Sequence, residues 1–119
     1  MRAEREAVQD AVDQVWVLTV RCVEELRALQ TIAKSQPTLE TVDRIRIRLE
    51  PLREELDELV RSTSESLFDG ALEQAAQLER DLRRVLDDLE DARTKEVIFL
   101  FYHISNLCMS NLFVSNFLG

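Results

Sequence analysis

The chain has 119 residues, 32% of them charged, and a net charge of −8. By length it is one domain. Two glycines and two prolines leave room for few loops, which excludes sandwiches, barrels and Gly-rich phosphate-binding folds. The acidic balance argues against nucleic acid, whose backbone requires a concentrated basic patch.

The N-terminal residues Arg2, Glu4, Arg5 and Glu6 interrupt any apolar run, so nothing there resembles a signal peptide. Helix one is predicted from about Ala3 to Lys34. Its apolar positions Val8, Val12, Val15, Thr19, Cys22, Leu26, Leu29 and Ala33 step alternately by four and three, an unbroken heptad seam. Leu18, Val23 and Ile32 widen that stripe, as expected of a helix with two neighbours. Trp16 lies beside the seam and is expected in the core or at its edge.

The first break is Ser35-Gln36-Pro37-Thr38. Gln36 precedes a proline and is biased away from the helical region. Thr38 is expected to cap the next helix. So short a link makes the two helices antiparallel.

Helix two is predicted from about Leu39 to between Val60 and Ser62, with the seam Val42, Ile45, Leu49, Leu52, Leu56 and Leu59. Pro51 falls off the seam and is expected to bend the helix. Arg44, Arg46, Arg48 and Arg53 alternate with Ile45, Ile47 and Leu49 and stand beside Glu50, Glu54 and Glu55, which reads as a solvated face. Glu40–Arg44 and Asp57–Arg61 have the spacing of favourable i, i+4 pairs.

The second break, from Ser62 to Gly70, offers two capping boxes, Ser62 with Glu65 and Ser66 with Asp69. Leu67 and Phe68 are expected to tuck under the bundle end. Helix three then starts near Ala71, with the seam Ala71, Ala75, Leu78, Leu82, Val85, Leu89 and Ala92 and the pairs Glu79–Arg83 and Asp91–Lys95.

The composition then changes abruptly. From Val97 to Gly119 there is no Asp, Glu, Lys or Arg, so every charged residue precedes this run. The chain thus divides into a charged helical bundle, residues 1–96, and an apolar segment, residues 97–119. No proline or glycine ends helix three before that segment. Built as straight helix, it would pass the top of the bundle near Phe101 unless it turned back as a fourth helix. Its apolar residues point all round the axis, which suits burial in protein or lipid.

Three readings follow for this end. It packs into partner subunits, it is a C-terminal membrane anchor flanked by Arg93 and Lys95, or it is an incidental terminus. Ser105, Asn106, Ser110, Asn111, Ser115, Asn116 and His103 make it a poor anchor. The first reading makes Phe99, Phe101, Ile104, Leu107, Leu112, Phe113 and Phe117 the candidate partner interface.

Three long heptad helices with a tryptophan in the first are similar to a spectrin-type repeat, over about Ala3 to Glu96. The likeness rests on Trp16 and the seams, and no tryptophan stands at a matching place in helix three. It implies architecture only.

Catalytic constellations are missing from the sequence. His103 is the single histidine, which excludes multi-histidine metal sites and disfavours a triad. Glu54-Glu55, Asp87-Asp88 and Glu90-Asp91 fall on solvent-facing heptad positions, without the Glu-x-x-His pairs of a di-metal bundle. There is no Walker loop, Gly-x-Gly-x-x-Gly or nucleophile elbow. Cys22 and Cys108 fit no metal spacing and are expected to be buried, reduced thiols in a cytoplasmic protein. The expectation is an all-α, antiparallel three-helix bundle without cofactor or metal. Its function would be non-enzymatic assembly with protein partners, as a homo- or hetero-oligomer. The alternative is a tail-anchored membrane protein with a cytosolic bundle.

Overall fold

A computed structural model describes residues 2–66 and 69–118, and the side chains of 3–66 and 69–109. The chain folds as an all-α three-helix bundle: α1 (Arg2–Ile32), α2 (Gln36–Glu65) and α3 (Ala71–Leu118). All three helices pack against one another. Contacts give the directions. Arg21 pairs with Glu90 and Glu25 with Arg93, so α1 and α3 run the same way. Arg48 pairs with Asp88 while Ser35, thirteen positions earlier, meets Glu96, so α2 runs against them.

The core is the three heptad seams. Val8, Val12, Val15, Cys22, Leu26 and Leu29 of α1 are buried against Val42, Ile45, Leu49, Leu56 and Leu59 of α2. Leu78, Leu82, Val85 and Leu89 of α3 complete the layer, with Leu86 beside them. Leu52, assigned to the seam by its spacing, is only half-buried and packs on the core from its edge.

The helix ends depart from the sequence expectation at two places and meet it at a third. First, α2 begins at Gln36 with Ser35 as N-cap, so Thr38 does not cap but lies buried in the first turn. Proline is at home there, because the first N–H groups of a helix have no intrahelical acceptor to lose. Second, α2 runs on to Glu65 and neither Ser62 nor Glu65 forms a capping box; the Ser66 N–H donates to the Ser62 carbonyl at 3.1 Å. The hydroxyls of Thr63 and Ser64 bond back to the carbonyls of Leu59 and Arg61, which accommodates them within a helix. Third, Gly70 supplies the left-handed turn (φ 87°), and its carbonyl accepts the Gln74 N–H to open α3. The expectation for Leu67 and Phe68 lies outside the described residues. The helix is continuous through Pro51.

Of the anticipated intrahelical ion pairs, Glu79–Arg83 and Asp91–Lys95 form. Arg61 instead takes Glu58, one turn position nearer than Asp57, and Arg44 bonds the Thr41 hydroxyl. Such exposed pairs differ by tenths of a kcal/mol, so rotamer preference decides among them.

The molecule is long, 80 × 24 × 16 Å, with a radius of gyration of 21.2 Å. A compact domain of this length would have about 13–14 Å. The excess comes from α3, whose 48 residues extend for about 72 Å beside an α1 of about 47 Å.

Candidate interaction surface

The boundary between bundle and overhang is built on one residue. The α3 seam steps from Ala92 to Glu96, which is fully buried. A carboxylate there requires donors, and the α1–α2 link provides them. The backbone N–H groups of Lys34 and Ser35 donate to Glu96 Oε1 at 2.5 and 3.1 Å, and Ser35 Oγ donates to Oε2 at 2.6 Å. Ser35 Oγ also lies 2.9 Å from Thr38 Oγ1. Burial alone would raise the Glu96 pKa. The hydroxyls of Ser35 and Thr38 and the backbone N–H groups of Lys34 and Ser35 overcome that and hold it at about 2. Glu96 therefore stays ionised and ties α3 to the turn between the other two helices. In the sequence Glu96 stands out only as the last charge before the apolar run. The usable signal was a charge at the next seam position.

Beyond Glu96 the bundle ends and α3 does not. It neither stops nor turns back as a fourth helix; it continues to Leu118. Leu100 is half-buried, and past it the neighbours are gone. Phe101 is 72% exposed, and Tyr102, Ile104, Leu107 and Met109 are each more than half exposed. Phe99, 44% exposed, stacks on His103 with ring centroids 6.3 Å apart. The structure thus brings Phe99, Phe101, Ile104 and Leu107 onto one uncovered stretch of helix. The other three candidate interface residues, Leu112, Phe113 and Phe117, continue the same helix but lie outside the residues with described side chains. Cys108 is exposed rather than buried, because nothing flanks α3 at that height.

Comparison with protein-family models, curated proteins and solved structures finds no match to this chain. The likeness to a spectrin-type repeat is therefore one of helix layout.

The bundle carries a second uncovered apolar feature. Trp16 is not in the core; it is 51% exposed at the rim of a cleft of about 240 Å³ between α1 and α2. Trp16, Val20, Val23 and Leu56 supply its apolar surface, and Glu24, Arg27, Arg53 and Asp57 its charged edge. An adjoining cleft of about 440 Å³ extends the groove past Leu26 and Leu49 toward Gln30. A wider cleft of about 800 Å³ between α2 and α3 is lined by Arg48, Asp88, Asp91 and Lys95, which neutralise one another in two ion pairs.

Reactive chemistry is sparse in these places. Burial pushes the Cys22 thiol up to about 11, a rise that Arg21 opposes and Glu25 assists, so it is protonated at neutral pH; its sulfur bonds the Leu82 carbonyl. Among the described residues no group of three or more His, Cys, Asp or Glu lies close enough to hold a metal ion, and no helix is long and apolar enough to cross a membrane.

Proposed function

We propose that this chain is a non-enzymatic helical assembly subunit, binding protein through the apolar extension of α3 beyond its own bundle. One observation carries the reading: α3 passes Glu96 and presents Phe101, Tyr102, Ile104, Leu107 and Met109 to solvent. Aromatic and aliphatic side chains in an uncharged setting are favoured interface anchors. A contiguous apolar patch of this kind also marks interaction sites on otherwise charged proteins. The heptad body holds the extension at one end of a rigid rod. The absence of catalysis rests on the residue inventory, with its single histidine and its paired surface carboxylates.

The test places charge on the extension of the intact chain. Phe101→Glu with Ile104→Glu should leave helicity and the melting temperature unchanged, since both side chains are exposed. Association with protein partners should weaken by about 2 kcal/mol or more, the scale of an interface anchor. Flotation of the wild-type chain with phosphatidylcholine vesicles, resistant to alkaline washing, would favour the membrane-anchor alternative instead.

A further inference from the structure

The overhang and the Trp16 groove are two uncovered apolar features of one molecule, and neither can cover the other within a chain. Past Glu96, α3 travels away from the body for about 33 Å. The groove lies back along the body, at the level where Cys22 meets Leu82 and Arg21 meets Glu90. Cys108 and Trp16 of the same chain are thus about 40 Å apart along the axis. We infer that the α3 extension of a second copy occupies the Trp16 groove, and that two copies exchange extensions reciprocally in an antiparallel dimer. This inference rests on the proposed assembly function and names its partner.

Charge selects the occupant. The body carries the whole net charge of −8 and repels another body, whereas the segment from Val97 onward carries none. The extension is therefore the part of this chain that approaches an acidic body without repulsion, and the groove's own rim, two acids against two arginines, is neutral. The groove has the anatomy of an interface, an apolar floor with a charged rim, and its exposed tryptophan is the residue type most enriched among binding anchors. Ser105 and Asn106 supply amide and hydroxyl groups for the Arg27, Arg53 and Asp57 edge.

The dimensions also close. Trp16 stands about 21 Å above the start of α1. Two antiparallel molecules whose bodies, each about 47 Å long, meet end to end span about 95 Å and set each extension of about 33 Å along the partner's body. Cys108 then arrives within about 10 Å, along the axis, of the partner's tryptophan. Each copy offers one extension and one groove, so a two-fold pair satisfies both and stops there.

The test uses the full chain, labelled at exposed Cys108 with a naphthalene-sulfonate acceptor of tryptophan emission; buried Cys22 does not compete. Trp16 is the single tryptophan. Unlabelled and labelled chains are mixed, and mass, maximum dimension by X-ray scattering and energy transfer are read together. The expected result is a dimer no longer than about 95 Å with strong transfer between copies. Val20→Glu, an exposed groove substitution, should weaken dimerisation ten-fold or more with helicity retained, about 1.4 kcal/mol. A dimer without transfer, or one near 125 Å long as expected for antiparallel extensions paired end to end, overturns the groove and leaves assembly through the extension standing. A monomer without transfer, whether free or bound to vesicles, overturns self-association; the proposed function then stands or falls on the Phe101 and Ile104 variants.

Discussion

Glu96 is buried and ionised at once because the α1–α2 turn aims two N–H groups and a hydroxyl at it. Removing its charge leaves those donors facing a weaker acceptor. Glu96→Gln also turns one acceptor atom into a donor, at a cost of about 1.5–3 kcal/mol at neutral pH. The pKa is lowered from 4.5 to about 2, so the carboxylate's contribution is complete above 4.5 and is lost as the pH falls toward 2. Urea unfolding of both proteins across that window should show the stability gap narrowing with acid. A gap independent of pH would mean that the ionised form is not what the turn recognises. This contact was only half legible in the sequence. The step of four from Ala92 reaches Glu96, but the donors come from a turn 61 positions earlier, a pairing that helical spacing does not encode. Trp16 was misplaced for a related reason: its position beside the seam says how far it is from the core line, not whether α1 and α2 close over it. Here they leave a groove.

At the scale of the helices, the seams were legible nearly residue by residue, because a heptad needs only its own chain to be recognised. Leu82 is fully buried at the α3 seam and Cys22 bonds its carbonyl. Leu82→Asp buries an unpaired carboxylate and should cost about 4 kcal/mol or more, enough to unfold a bundle of this size. Asp88→Ala removes an exposed pair with Arg48, 2.6 Å away, and should change stability by about 0.5 kcal/mol. Thermal melts of the two variants decide between them; equal, small shifts would contradict the seam assignment. The ends of the helices were less legible. Proline at Pro37 and the serines from Ser62 read as breaks, yet the first opens α2 and hydroxyl-to-carbonyl bonds carry α2 through the second. Local breakers lose to continuity where the neighbouring seam still has a core to fill.

For the whole molecule, the decisive property is that α3 is longer than the bundle it belongs to. The loss of charge at Val97 marked where this happens, but composition alone left open a return as a fourth helix. That required a turn, and from Ala71 to Leu118 the chain has neither glycine nor proline to make one. The result is a rod with a heptad body and an uncovered apolar end. The most direct test of that division is sedimentation velocity on a chain ending at Leu100, one turn past the Glu96 tie, beside the full chain. A folded, elongated monomer is expected for the shortened chain and a larger assembled species for the full one. A shortened chain that sediments as an expanded, unfolded polymer, or one that assembles as the full chain does, would contradict it.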